Sequence, residues 1–510
     1  MIYNGKDFIN NTVKANICIV GSGIGGSSLA YELSKNDVDF ILIEAGGLEK
    51  HLDNVKHENV GLDFKMPTTR SIELGGTSNL WGGGLTLLDE IDFKERKYIP
   101  ESGWEVSLKE LISYYEKAGK IFNLKNFDYF YEEKLSKKFK KEIKDVKYSN
   151  NLKNKFFQIP LPIFNFKNIL IDIFKENNNQ HCYYNSTALE LIKSNGKIKK
   201  IKVGTDGGFF EIKANIFILA TGALETPRLL LNSNIKNQNI GKYLMDHPKG
   251  YLSQLDMKES GIPKHHIYAF MKYDGDDMQI KTGLTIKNDV QLQNEIFNHN
   301  VYIKPIVNNL NIMRKIEELG IIVHTFRNSE NKLKDILFLL RNFNTLLRGV
   351  AYKFDFSALY KKTGIFIVSE QIPSPNSNVD LSSIKDKWGY PIAKINWQVA
   401  KQDIDNVKKF YSFLKENLNY PKEDFKYGLN DDADDWKNTL SSAAHHCGTC
   451  RIGKNEKDGV IDKNLKVYGF ENLFICDASI FRTSGNANPA FTISAFAVRL
   501  IEHILSRGIK

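Results

Sequence analysis

The sequence predicts an α/β fold of at least two domains. Two observations carry this. A glycine-rich turn near the N-terminus stands between a β-branched strand and a helix, and a chain of 510 residues is too long for one hydrophobic core. A hydrophobic content of 42% with 25% charged residues is that of an ordinary globular protein.

The turn lies in "ANICIVGSGIGGSSLAYELSKNDVDFILIEAGG". Ile17–Val20 reads as a strand, Ser28–Leu33 as helix and Phe40–Ile43 as a second strand ending at Glu44. Between them Gly21, Gly23 and Gly26 spell G-x-G-x-x-G. Gly21 permits the tight turn, Gly23 lets a pyrophosphate approach the backbone, and Gly26 lets helix and strand pack closely. The pyrophosphate would sit at a helix N-terminus, where free N–H groups favour an anion. Glu44 is placed to accept hydrogen bonds from an adenosine ribose. This is a Rossmann-like dinucleotide site, and NAD and FAD share the half it would hold.

Three later segments add to it. "IELGGTSNLWGGGL" (Ile72–Leu85) sets five glycines around Trp81, a backbone able to lie against a flat ligand. "IFILATGALETPRLLLNS" (Ile216–Ser233) reads as a buried strand, the turn Ala220-Thr221-Gly222, then a helix opened by Thr226-Pro227. Near the C-terminus a strand ends at Asp477, followed by a loop and a helix beginning near Pro489.

"AAHHCGTCRIG" (Ala443–Gly453) holds adjacent histidines and a C-x-x-C pair. Zinc fits poorly, because adjacent residues of one short turn cannot all converge on a tetrahedral ion. Cys18, Cys182 and Cys476 supply no second pair, so no metal site is expected. A dithiol couple lacks its thioredoxin-like setting. Cys447 and Cys450 read best as small buried residues.

Together these blocks resemble the glucose–methanol–choline (GMC) family of FAD-dependent oxidoreductases. "GSGIGG…IEAGG", "GGTSNLWGGG", "ATGALETPRLLL", "LMDHP" (Leu244–Pro248), "HHCGTCRIG" and "CDASIFRTSGNANPAFTI" occur in that family's order and lie in roughly half the chain. The resemblance implies a Rossmann-like FAD-binding domain with an inserted α+β substrate domain on a mostly antiparallel sheet. The expected boundaries are 1–100, 181–250 and 440–510 for the FAD domain, with 101–180 and 251–439 for the substrate domain and lid segments. It further implies FAD contacts from Gly76, Thr77, Asn79, Gly83, Ala188, Thr221, Gly222, Asp477, Ala478, Asn488 and Pro489, beside Gly21, Gly23, Gly26 and Glu44. Some relatives attach FAD through a histidine in the glycine–tryptophan loop. Here Asn79 and Leu80 stand in that loop, so non-covalent FAD is expected.

In the family's H-x-x-G-T pattern His445 takes the place of the base. Oxidising an alcohol moves a hydride from carbon to flavin while the hydroxyl proton leaves, and neutral imidazole can take that proton. Asn488 corresponds to the second catalytic position, and it is equally a good cap for the helix at Pro489. The expected reaction is therefore oxidation of a CH–OH group, with a sugar or polyol favoured by "EQIPSPNS" and the "SGNANP" loop. Glu370 or Gln371 is a candidate substrate contact on that ground, and a strand-end role is the alternative. An FAD-retaining lyase or isomerase, or a flavin-binding protein without turnover, is the rival reading. The electron acceptor, oxygen or another, is left open.

The net charge of +10 does not by itself imply nucleic acid. "KLSKKFKKEIKDVK" (Lys134–Lys147) has Leu135, Phe139 and Ile143 at helical spacing and reads as a solvated helix face. Ile336–Phe354 is too interrupted to span a bilayer and is expected as a buried or lid helix rather than a membrane-surface one. The N-terminus has no basic segment followed by an apolar run, and five cysteines form no secreted framework. A cytoplasmic protein is expected.

Overall fold

The computed structural model describes residues 1–36, 38–49, 56–64, 66, 69–138, 148–176, 179–256, 272–274, 277–306, 332–344, 347, 362–418, 425–426 and 440–508. An eight-stranded sheet forms the first layer, in the order 2–4, 180–184, 40–43, 12–20, 208–219, 197–205, 187–194, with Leu473–Ile475 added alongside 208–219. Its central strands are parallel, and 187–219 closes one edge as an antiparallel meander. The register explains why distant segments meet. Val20 lies opposite both Ile43 and Leu219, and Leu219 lies opposite Ile475. Four strands thus end together, and the residues that follow them converge: Gly21, Glu44, Ala220 and Cys476-Asp477. Ligands of open α/β sheets bind at such carboxyl ends.

The second sheet has seven strands, among them 152–160, 249–256, 278–286, 300–306 and 362–368, and all its recorded pairings are antiparallel. A third, three-stranded sheet joins 378–385 and 391–396 to 57–59. The Rossmann-like layer with a separate antiparallel domain is therefore present as expected.

Three local expectations are corrected. The segment 101–180 does not belong to the second domain as a block. Trp104, Leu111, Tyr115 and Phe166 are buried in the first domain's core, because helices Leu108–Ile121 and Phe166–Glu176 pack on Pro489–Leu505 and Ile24–Ser34. Leu135 and strand Leu152–Pro160 contribute to the second core, with Leu124, Tyr129 and Tyr148 packed against it. Next, the helix after "ATG" starts at Gly222, and Pro227 lies inside it rather than opening it. A proline there deprives the Ala223 carbonyl of its donor. Thr449 Oγ1 supplies the missing hydrogen at 2.6 Å, so the tertiary partner repairs what the sequence breaks. Finally, of the buried and lid alternatives for the segment from Ile336, the buried one fails, because helix Lys332–Arg341 is exposed. Leu333 is 78% and Leu340 64% exposed, with Ile336 and Leu337 on the same apolar stripe. Parts of the two segments singled out above, 139–147 and most of 345–354, lie outside the described residues. No described helix is long and apolar enough to cross a membrane.

Candidate functional site

A cavity of about 1070 Å³ opens along the converging strand ends, somewhat above the roughly 300–1,000 Å³ usual for small-ligand clefts. Gly21, Gly23 and Glu44 line it, and so do Gly76, Thr77, Ala188, Thr221, Gly222, Asp477, Ala478, Asn488, Pro489 and His445. Most of the expected residues are thus in one wall or another of a single space.

The glycines differ in role. Gly21 has φ +97°, and a Cβ there would stand 2.7 Å from the Ala220 carbonyl oxygen. Gly23 is the N-terminal flank of helix Ile24–Ser34, and a Cβ on it would meet nothing within 4 Å. Its open side is space for a ligand. Gly26 does not line the cavity. A Cβ on it would stand 1.9 Å from the Gly21 carbonyl oxygen, so its task is to let the helix close on the turn. Asn79 and Gly83 likewise lie outside the lining, whose residues on that loop include Thr77, Leu80, Trp81, Gly82 and Gly84. Asn79 Nδ2 donates to the Leu74 carbonyl at 2.9 Å and holds the loop's shape. Trp81 Nε1 donates to the Phe164 carbonyl at 3.0 Å, so the loop is ordered.

Two carboxylates frame the turns. Glu44 Oε2 accepts from Ser22 N at 3.0 Å and Ser22 Oγ at 2.6 Å, and Oε1 accepts from Gly46 N at 2.9 Å. Burial pushes its pKa up, against those hydrogen bonds. Asp477 Oδ2 accepts from Gly222 N at 2.9 Å and Thr226 Oγ1 at 2.6 Å, tying the C-terminal segment to the "ATG" turn. The open face at Gly23, the helix N-terminus there and the acid on the next strand end together fit the ADP half of FAD. His445 and Asn488 line the same cavity.

His445 follows Ala444, whose φ of 63° is unusual for a residue with a side chain. Ser442 Oγ accepts from Ala444 N at 2.9 Å and donates to Asp246 Oδ2 at 2.5 Å. Asp246 Oδ1 accepts from His445 N at 3.0 Å and from His247 N at 2.6 Å. One carboxylate thus fixes the backbone of both segments. The His247 and His445 rings meet edge to face, with Nδ1 to Nδ1 at 2.9 Å, and His247 Nε2 lies 3.0 Å from the Ser484 carbonyl oxygen. Burial holds His445 well below the ordinary imidazole value, and His247, Lys249 and His446 add to the shift. It is a neutral ring at pH 7. His446 also lines the cavity, packs edge-on against Phe64 and is pushed down to about 4, chiefly by burial.

Asn488 stands at the N-cap position of helix Pro489–Leu505 without making a side-chain cap bond. Its Nδ2 donates instead to the Gly84 carbonyl at 3.0 Å, joining the helix start to the glycine–tryptophan loop. The cap expectation is therefore replaced by a bridge between two cavity walls. Gln371 does not reach the cavity. Its Oε1 accepts from Asp246 N at 2.9 Å and Trp397 Nε1 at 3.0 Å, and its Nε2 donates to the Gln398 carbonyl at 2.5 Å. It is used up supporting Asp246. Glu370 is equally occupied, paired twice to buried Arg96 at 2.8 and 2.5 Å.

The segment "LMDHP" assigns no role to Asp246 or His247 by itself. An acid–histidine pair before a proline is a local signal of something fixed, yet nothing in it names His445 as the partner. Cys447 and Cys450 are buried and unbridged, and burial raises both thiols well above their usual range. Among the described residues no three His, Cys, Asp or Glu converge as metal ligands.

An α/β protein with a Rossmann-like nucleotide cradle and a histidine on the same cavity is the class this geometry defines. Family comparison makes the assignment specific. Two models described as GMC oxidoreductase match residues 373–497 and 167–249, and one described as an NAD(P)-binding Rossmann-like domain matches 19–48. The chain thus carries N- and C-terminal GMC oxidoreductase domains over these residues. A long-chain-alcohol oxidase of Arabidopsis thaliana is 24% identical over 321 residues, covering 60% of this chain and 38% of that protein. A 2-methyl-1,2-propanediol dehydrogenase of Mycolicibacterium austroafricanum is 30% identical over 148 residues, 28% of this chain and 25% of that one. The matches thus span under half the length of these curated relatives. The crystal structure of pyridoxine 4-oxidase from Mesorbium loti shares the fold, with a TM-score of 0.61, 15% identity and coverage of 96% and 99% of the two chains.

Proposed function

We propose that the protein is an oxidoreductase that removes hydrogen from a CH–OH group, with His445 as the base and FAD held non-covalently. The observation that carries the reading is the shared cavity. His445 and Asn488, from segments separate from the nucleotide turn, line the same space as Gly23 and Glu44. The relatives named above are an alcohol oxidase and a diol dehydrogenase, which supports an alcohol donor. The narrower sugar or polyol reading now rests on family likeness alone, because Glu370 and Gln371 are committed elsewhere.

Bound FAD supplies the hydride acceptor. The chain supplies the rest. His445 is held neutral, so it can take the hydroxyl proton as the C–H bond breaks. Asn488 is anchored through Nδ2 and lines the cavity, and its amide oxygen, which that bond does not use, is available to orient a donor group. The free N–H groups at the start of helix Pro489–Leu505 favour negative charge at that wall.

The test is anaerobic bleaching of the yellow holoenzyme by a panel of primary alcohols, diols, sugars, aryl alcohols and sterols. At least one should reduce it, and His445→Ala should retain FAD yet reduce roughly 10²-fold or more slowly, the scale of a lost general base. A His445→Ala protein that bleaches at the wild-type rate removes His445 from the chemistry.

A further inference from the structure

We infer that His247 is a positioning residue which, anchored by the Ser484 carbonyl, fixes the ring proton of His445 on Nδ1 and leaves Nε2 as the basic atom. This rests on the reading of His445 as the base and adds which nitrogen does the work and what selects it.

A carbonyl oxygen can only accept. Ser484 O lies 3.0 Å from His247 Nε2, so that nitrogen carries a proton. A neutral imidazole has only one, so His247 Nδ1 is an acceptor. Its partner at 2.9 Å is His445 Nδ1, which must then be the donor. The remaining nitrogen, His445 Nε2, keeps its lone pair. It makes no hydrogen bond among the described residues, and His445 lines the cavity.

The alternatives cost contacts. Turning the His247 ring by 180° would put carbon atoms at both contact points and lose both hydrogen bonds. Moving the His445 proton to Nε2 would set two lone pairs face to face at 2.9 Å. Charging either ring meets the burial that holds both below the ordinary imidazole value. The backbones that carry the two rings are held side by side, because Asp246 Oδ1 accepts from the N–H of each. The same logic operates wherever a base is held in one tautomer by a neighbour, with an uncharged imidazole here in place of a carboxylate.

Two substitutions of similar size separate this from a merely structural role. Asparagine at 247 can present Oδ1 near the position of the lost Nδ1, whereas leucine offers no acceptor. Holoenzyme labelled with ¹⁵N-histidine reports protonated and unprotonated ring nitrogens directly, and loss of a signal in His445→Gln assigns the residue. Wild type should show His445 protonated on Nδ1 and bare on Nε2. His247→Leu should move the proton partly or wholly to Nε2 and slow flavin bleaching by roughly 10-fold or more, using the alcohol that reduces wild type fastest. His247→Asn should keep the Nδ1 proton and most of the rate. A wild-type His445 protonated on Nε2 overturns the inference even if neither variant folds. Equal loss in His247→Asn and His247→Leu, or an unchanged tautomer in His247→Leu, overturns it too. Failure of the base reading looks different: His445→Ala would then bleach normally, whatever the tautomer.

Discussion

At the nucleotide wall of the cavity, Ser22 donates to Glu44 across 22 positions of chain. At the histidine wall, His247 meets His445 across 198 positions and Ser484 across 237. The first wall is a local object: strand, turn, helix and strand, each needing particular residues for its own geometry. The second is an intersection of loops, and its residues acquire meaning only through partners far away in sequence. Local walls can be read from a motif, and assembled walls have to be seen.

That contrast predicts how the two walls break. The largest effects are at the glycines, and they differ in kind. Gly26→Val should prevent stable folding, since a Cβ would stand 1.9 Å from the Gly21 carbonyl oxygen and backbone cannot yield there. Gly23→Val should fold and lose FAD, because its Cβ meets no protein atom but fills the space a pyrophosphate needs. Thermal melts of the two purified variants, with flavin absorbance, check this. A Gly23→Val protein that keeps stoichiometric FAD would contradict the cradle. Acid precipitation of wild type should leave all its flavin in the supernatant, in keeping with non-covalent attachment.

The same contrast explains what was legible. The parallel core, the glycine turns, Glu44 and the helix at Pro489 were readable, since propensity, turn geometry and burial all agree within each short segment. Helix Gly222–Asn232 was misread at its start because the repair of Pro227 comes from Thr449, 222 positions onward from it. Segment 101–180 was misassigned because an apolar helix face does not say which core it joins. Gln371 looked like a pocket residue, and only the fold shows both ends of its amide spent on Asp246, Trp397 and Gln398. His247 was missed for the converse reason, since its whole role lies in contacts between loops.

A middle-sized effect tests the cysteines that border the histidine wall. Cys447→Ser with Cys450→Ser should lower stability while leaving bleaching by alcohol within about 3-fold of wild type, far from the loss expected at His445. The two sites should contribute unequally. Cys447 pairs with Met245 through backbone only, N–H to O at 2.9 Å in both directions, so a buried hydroxyl there goes unpaired at roughly 1–3 kcal/mol. At Cys450 the Ser479 hydroxyl is adjacent and itself has no hydrogen-bond partner among the described residues, so a new hydroxyl can find one. Urea melts of the two single variants measure the difference. A larger loss from Cys450→Ser, or a bleaching rate as low as that of His445→Ala, would contradict this placement.

The smallest effect concerns proton affinity at the histidine wall. His445 works as a base only when neutral, and burial first, then His247, Lys249 and His446, hold it well below 6.5. A lowered value means that the active form persists as the pH falls, so the bleaching rate should stay level through pH 6.5 and decline only at more acid pH. Removing a positive charge makes protonation easier, so Lys249→Gln should shift that acid limb upward. The shift should stay under about 1 pH unit, which corresponds to 1.36 kcal/mol, because burial of the ring is untouched and is the larger cause. Salt should reproduce part of the effect in wild type by screening Lys249, and should do less in Lys249→Gln. Stopped-flow bleaching across pH in the two proteins gives the comparison. An acid limb at or above pH 6.5 in wild type, or a downward shift in Lys249→Gln, would mean that the titrating group is not a desolvated imidazole beside these cations.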